Sequence, residues 1–287
     1  MLSGFTIVRN AVTLDYPIVS AIRSILDICD EVVVNVGRSD DGTRELVAGI
    51  DDRRVRILDS VWDLSQGSGA LAFETNRAMA ACRGEWGVYI QADEVLHETG
   101  AVILARKMRE WEADPRVEGL LVDYLHFYGD VGTLATNRHW YRREVRVVRL
   151  GRGHDIRSFQ DAQGFRVGAE LRRVRARATG AAMFHYGWAR APHSVLQKVT
   201  MSREMFAWAR DRAGSDHQAP QLEWTPLLRR FKGAHPRAAA EWIAARPARV
   251  GVRSRRLKLD DLRFYASDWI ERLTGVRVFE YRNYVLV

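Results

Sequence analysis

Cysteine is nearly missing from this chain. Cys29 and Cys82 are the only two in 287 residues, and their spacing matches no metal motif. A disulfide framework is therefore not expected, a reducing compartment is, and each cysteine reads as a core residue on an apolar helix face. Long hydrophobic runs are missing too. None approaches the ~20 residues that a membrane span needs, and Arg9 interrupts the apolar start too early for a secretory leader. No internal repeat and no low-complexity linker divides the chain. These absences point to a globular protein, cytoplasmic or peripheral on the inner face of a membrane.

What is present is ordinary in amount: 47% hydrophobic and 28% charged residues. The length allows one large domain or two small ones. The charge balance is not ordinary. Lys and Arg outnumber Asp and Glu by 44 to 36, a net +8, which favours an anionic partner such as a nucleotide diphosphate, a nucleic acid or an anionic membrane face.

Strand and helix signals alternate through the first half. Phe5 to Val8 reads as a strand, and Pro17 opens a helix through Ile18, Ile22, Ile25 and Leu26. Glu31 to Val36 is a second strand, Thr43 to Ile50 a helix and Val55 to Leu58 a third strand. A loop from Ser60 to Gly69 leads into a helix from Ala70 to Cys82, and Trp86 to Gln91 is a fourth strand. This spacing predicts a mostly parallel sheet with helices on both faces. After Gly119 the pattern changes. Leu120 to Tyr128 and Val145 to Leu150 are strand-like, Asp155 to Phe165 is irregular and polar, and Ala182 to Trp188 reads as a short strand. From Ser194 onward helical spacing returns, with Val195, Val199, Met205 and Trp208 on one face. The expected organisation is a sheet domain over residues 1–190 and a basic helical extension over 191–287, packed on it.

Two segments carry the chemistry. The run Trp86-Gly87-Val88-Tyr89-Ile90 stops at Gln91-Ala92-Asp93-Glu94, two adjacent carboxylates at the end of a strand. Ligands of open α/β sheets gather at that edge, and a carboxylate there suits a divalent cation that holds a diphosphate. The bland alternative is an acidic helix start. The run Glu31-Val32-Val33-Val34-Asn35-Val36 likewise ends in Gly37-Arg38-Ser39-Asp40-Asp41-Gly42-Thr43. There the glycines permit tight turns, and Ser39, Asp40 and Asp41 are candidate caps for the following helix.

Together with Arg9-Asn10 at the end of the first strand and Thr75-Asn76 on the later helix, these residues resemble glycosyltransferase family two, of the GT-A fold. The resemblance is specific over about residues 5–95 and looser to about 190. It implies a Rossmann-like α/β fold and transfer of a sugar from a nucleotide-diphosphate donor, probed most directly at the following positions. Arg9, Asn10, Asn35, Asp41, Asn76 and Gln91 would border the donor. Asn35 stands where the family commonly has aspartate, and Gln91 replaces the first aspartate of its Asp-Xaa-Asp motif. Asp93, the motif's last position, would hold Mn²⁺ or Mg²⁺, with His185 in Phe184-His185-Tyr186-Gly187-Trp188 as a second ligand; His139, His154 and His193 are weaker candidates. Glu94 would cap or orient as readily as bind. Inverting transfer needs a base for the acceptor hydroxyl. Asp161 is preferred, because small and aromatic residues flank it, and Asp155 is second; either could instead pair with Arg157 or Arg166.

The acceptor would be a glycan or a lipid-linked or envelope sugar. Arg229, Arg230, Arg253, Arg255 and Arg256 in the tail would add a peripheral contact with an anionic membrane, at about 1 kcal/mol per basic residue. Three other readings stay open. A nucleotidyltransferase would carry a glycine- and lysine-rich phosphate loop after its first strand, but Arg9-Asn10-Ala11-Val12-Thr13 has no glycine. A nucleic-acid-binding protein would use the basic tail, yet Phe231, Trp242, Leu257 and Leu259 interrupt it. A non-catalytic sugar-nucleotide binder has Gln91 as its only hint.

Overall fold

The computed structural model describes residues 1–151, 153–191, 193–195, 197, 198, 200, 225–246, 258–278 and 280–287. The first four strands are β1 (Leu2–Val8), β2 (Glu31–Gly37), β3 (Val55–Ser60) and β4 (Trp86–Tyr89). They lie parallel in the order β3-β2-β1-β4. Both faces of β2 are buried along its whole length, which is why valines fall on both of its faces in place of a polar–apolar alternation. Val32, Val34 and Val36 pack on the face covered by α1 (Ile18–Leu26), while Val33 joins Phe5, Ile7 and Tyr89 on the opposite face. Helix α2 (Thr43–Ala48) follows β2, and α3 (Gly69–Ala80) lies against β1 and β2.

Beyond β4 the sheet is no longer parallel. After β5 (Glu94–Leu96) and α4 (Glu98–Glu110) come β6 (Gly119–Tyr128), β7 (Thr133–Ala135) and β8 (Arg143–Arg149). Strand β8 lies between β4 and β6 and is antiparallel to both. The hairpin of β9 (Ile156–Phe159) and β10 (Gly164–Val167) then leads to β11 (Arg172–Trp188), which runs parallel to β6 and antiparallel to β5. The sheet is thus mixed, a correction to the expected mostly parallel one, and the irregular stretch expected over residues 155–165 is a hairpin. Strand β11 is also far longer than the expected strand over residues 182–188. Its first half is rich in arginine because Arg172 and Arg175 reach the Glu118 carboxylate at 2.5 and 3.1 Å, and Arg177 covers the Trp111 ring.

The tail is not simply helical. Strand β12 (Leu228–Arg230) pairs with β7, α5 (Ala240–Ala244) and α6 (Leu262–Thr274) follow, and β13 (Tyr284–Leu286) pairs with β11 in the main sheet. Residues 193–195, 197, 198 and 200 are helical as expected, whereas Val199, Met205 and Trp208 lie outside the described residues. So do Arg253, Arg255 and Arg256. Arg229, the first residue of the expected membrane patch, is paired with Asp268 at 2.5 Å. Among the described residues no helix is long and apolar enough to cross a membrane.

One buried ion pair locks the middle of the sheet to its upper edge. Arg146 on β8 and Glu94 on β5 are both fully buried. The guanidinium donates to Glu94 Oε1 at 2.9 Å and Oε2 at 3.0 Å, and a further nitrogen donates to Gln163 O at 2.7 Å. Tyr124 Oη donates to Glu94 Oε1 at 2.6 Å, and the Gln91 backbone N–H donates to Oε2 at 3.0 Å. With every lone-pair direction in use, the pair tolerates burial. Glu94→Ala would strand an unpaired guanidinium, and the expected cost is about 3–5 kcal/mol. A urea midpoint unchanged from that of the parent protein would show the pair to be dispensable.

Candidate active site

A cleft of about 190 Å³ opens at the C-terminal edge of β1 and β4. The end of β1 brings Ile7, Val8 and Arg9 to it, the segment after β4 brings Gln91, Ala92 and Asp93, and the turn between β9 and β10 brings Asp161 and Ala162. Tyr16, Trp62, Leu71, Tyr89 and Lys198 complete the wall. Apolar and aromatic surface with a few convergent charges is the usual make-up of a small-molecule site.

Asp93 is held by a dense set of contacts. It is 7% exposed, and its Oδ2 lies 3.1 Å from Lys198 Nζ and 3.6 Å from His185 Nε2. Burial alone would push its carboxyl up; Lys198, His185 and the buried Arg190 outweigh that and hold it well below the usual carboxylate range. The approach depends on Gly187, where a Cβ would stand 2.7 Å from Asp93 Oδ2 and 2.6 Å from His185 Nε2. Strand pairing delivers His185, which lies opposite Glu94 on one side and His126 on the other. Burial, reinforced by His185, keeps His126 well below the ordinary histidine range and hence neutral. Its Nε2 is 2.7 Å from Tyr141 O, a carbonyl that can only accept, so Nε2 carries the proton and Nδ1 is bare. His126 Nδ1 therefore accepts from His185 Nδ1–H at 3.0 Å, and His185 presents Nε2 to Asp93.

Asp93 and His185 are the two residues through which the family resemblance implies a metal. They offer one carboxylate oxygen and one imidazole nitrogen, and among the described residues no group of three His, Cys, Asp or Glu could hold an ion. The oxygen that would bind the ion already carries the ammonium of Lys198. A small divalent cation that holds a nucleotide usually takes one or two carboxylates, with phosphates and waters filling its other positions. As arranged, Asp93 Oδ2 is paired with an ammonium, and a divalent cation at that oxygen would have to displace Lys198.

Asp161 sits between Gln160 and Ala162, both with positive φ, at +52° and +59°. Left-handed backbone at two non-glycine residues is costly, and the surroundings enforce it here. Gln91 Nε2 donates to Ala162 O at 3.3 Å, Arg146 holds Gln163 O, and the Asn283 side chain fills the space where Gly164 would carry a Cβ. The Asp161 carboxylate accepts from the Gln163 backbone N–H at 3.2 Å. Arg157 is paired with Asp155, and Arg166 donates to Phe165 O and lies over the Phe159 ring, so neither is committed to Asp161.

The cleft thus brings together Arg9, Gln91, Asp93 and Asp161 of the residues singled out in the sequence, with His185 directly behind Asp93. The others lie elsewhere. Asn35 is fully buried, and its Nδ2 donates to Glu74 O and Oε2 at 2.9 and 2.7 Å, so it faces α3 and not the cleft. Asn10 has a left-handed backbone (φ +54°) and donates its N–H to Ser39 Oγ. Asp41 accepts from Thr13 N at 2.8 Å and from the Thr43 hydroxyl at 2.5 Å, which ties the loop after β1 to the start of α2. Asn76 exchanges hydrogen bonds with the Ser158 backbone and anchors α3 to β9. Asp155 is exposed and outside the cleft wall. Sequence reasoning missed Lys198, Trp62, Arg146 and His126. Lys198, Arg146 and His126 carry no local signal, because each acquires its role from a partner far away in the chain.

No protein-family model matches this chain, and no curated protein does. Among solved structures, TarS 1-349 from S. aureus is similar with a TM-score of 0.37 and 16% identity, over 52% of this chain and 47% of that one. Another S. aureus TarS structure gives 0.45 and 13%, over 70% and 38%. Glucosyl-3-phosphoglycerate synthase from Mycobacterium tuberculosis, in complex with Mn²⁺, UDP and phosphoglyceric acid, gives 0.31 and 20%, over 44% and 43%. The chain spans about half or less of the length of each. Similarities of this size leave the activity to be argued from the chain's own residues.

Glu144, which accepts from Gln163 behind the Asp161 turn, gives the fold a pH-dependent stability. It is 1% exposed, and burial pushes its carboxyl up to about 7, against the pull of Arg146 and of hydrogen bonds from Gln163 and Asn283. Between the unfolded and the raised folded pKa, such a carboxyl is protonated in the folded state and ionised in the unfolded one. Its contribution is full below about 4.5 and is lost as pH rises through about 7. The loss approaches about 3 kcal/mol. Glu144→Gln should flatten this part of the stability profile between about pH 5 and about pH 7.5; equal urea midpoint shifts in both proteins over that interval would place the pH dependence elsewhere.

Proposed function

We propose that this chain is a glycosyltransferase of GT-A type that moves a sugar from a nucleotide-diphosphate donor to an acceptor hydroxyl, with inversion at the anomeric carbon. The observation that carries the reading is the meeting of Asp93 and Asp161 in one cleft at the C-terminal edge of parallel strands, from segments 68 residues apart in sequence (161 − 93). In this reading the nucleoside lies against the apolar side of the cleft, with Trp62 as a stacking surface and Gln91 as a hydrogen-bonding amide. The diphosphate lies toward Arg9 and the Asp93 cluster.

Transfer then needs little motion. Asp161 takes the proton of the acceptor hydroxyl while that oxygen bonds to the anomeric carbon, and the bond from that carbon to the diphosphate oxygen breaks with its electron pair on the diphosphate. Attack from the Asp161 side and departure toward the cationic side give inversion. A glycan or a lipid-linked sugar is the acceptor class. A membrane contact through the tail remains part of this reading only through Arg230 and residues outside the described ones, since Arg229 is engaged.

The direct test is a thermal-shift panel of UDP-, GDP-, CMP- and dTDP-sugars, because a ligand of the folded state raises the melting temperature. At least one should do so, and no shift with any of them would refute a donor site. With that donor, Asp161→Asn is expected to leave binding intact and to lower transfer by about 10²-fold or more. Asp155→Asn should have little effect. The reverse pattern in a transfer assay would move the base to Asp155.

A further inference from the structure

Two cationic side chains, Arg9 and Lys198, line this cleft. Lys198 Nζ lies 3.1 Å from Asp93 Oδ2 and 3.4 Å from Gly187 O, and 5.2 Å from the centre of the Trp188 ring. An ammonium has three N–H donors. Two are aimed at Asp93 and Gly187, and among the described residues no other oxygen accepts from this ammonium, whose side chain lines the cleft wall. The helical residues that carry it are fastened to the loop after β1, where Ser194 Oγ donates to Thr13 O at 3.1 Å. Arg190, 1% exposed, donates to Gly187 O and Leu14 O and covers the Tyr16 ring. Lys198 and Arg190 together leave the cluster positive even with Asp93 ionised. A carboxylate that orients an ammonium, with a second fixed cation behind it, is an arrangement for receiving an anion.

We propose that Lys198, positioned by Asp93, supplies the charge that binds the donor's diphosphate and stabilises it as it leaves, so that nucleotide binding needs no divalent cation. This rests on the donor-site reading above, and it assigns Asp93 the role of orienting a lysine in place of ligating a metal. His185 acts on the same carboxylate from the other side.

Calorimetry of the full chain with UDP, GDP, CDP and dTDP, each in EDTA and in Mn²⁺, tests it. At least one nucleotide should bind in EDTA, with an affinity within about threefold of that in Mn²⁺. Losing one charge-assisted hydrogen bond costs on the order of tenfold or more, so Lys198→Met should weaken binding in EDTA by that factor, and Lys198→Arg should restore most of it. Binding that appears only with Mn²⁺ would overturn the proposal and leave the donor site standing. Binding in neither condition would overturn both. Mn²⁺ titration followed by electron paramagnetic resonance gives a readout on the unmodified protein. The free-ion spectrum should persist, whereas stoichiometric uptake that Asp93→Ala abolishes would make Asp93 a metal ligand and sink the idea.

Discussion

The Arg146–Glu94 pair is the constraint on which the cleft depends. Its two charges are fully buried, and taking them out of water costs more than a bare Coulomb contact returns. What the pair supplies is placement. Glu94 holds the Gln91 backbone N–H, which fixes the turn that carries Asp93. Arg146 holds Gln163 O, which fixes the turn that carries Asp161. Tyr89 and Tyr124 sandwich the guanidinium, each ring centre 5.3 Å from it. One ion pair therefore sets the separation of the two carboxylates that face the cleft, and an apolar replacement of equal volume would pack without setting it.

The same economy explains why two neighbouring carboxylates have different fates. Glu94 points down into the sheet and spends every lone pair on structure. Asp93 points up and is left to groups that arrive late in the chain: His185 at the end of β11, then Lys198 on the helical residues beyond it. Gly187 makes this convergence possible, since any side chain there would collide with both Asp93 and His185. The wall closes when Arg190 reaches Leu14 O, 176 residues earlier in sequence. The first loop and the end of the sheet domain are one structural unit at this point, which is why the cleft is formed by neither half alone.

How much of this could be read from the sequence follows from where each residue finds its partner. Strands β1, β2 and β4 are legible because burial on both faces places apolar residues on both, and Asp93 is legible as a carboxylate at the end of one. The arginines of early β11 give no strand signal by themselves, and their partners, Glu118 and Trp111, lie far away in the chain. Asn35 looks like a ligand contact because it lies near a strand end, yet its position in β2 turns it toward Glu74 on α3. The fold's parallel half is thus visible from local pattern, while the antiparallel half is specified by charge pairs whose partners lie tens of residues away. Lys198 belongs to the second kind, being 105 residues from Asp93.

The difference in partners also underlies the proposed division of roles. Among the described residues Asp161 has no ion pair, and only a backbone N–H is directed at it. Asp93 has an ammonium on one side and an imidazole on the other. A base must keep a lone pair available for the incoming proton, and a carboxylate whose charge is already spent on a lysine is a poor candidate. The environment therefore separates the two acids without any difference in their own chemistry: Asp93 fixes a positive charge, which the proposed reaction places at the leaving-group end, and Asp161 stays open, at what that reaction makes the acceptor end. The left-handed residues on either side of Asp161 belong to the same turn, which Gln91 and Arg146 hold against the cleft wall.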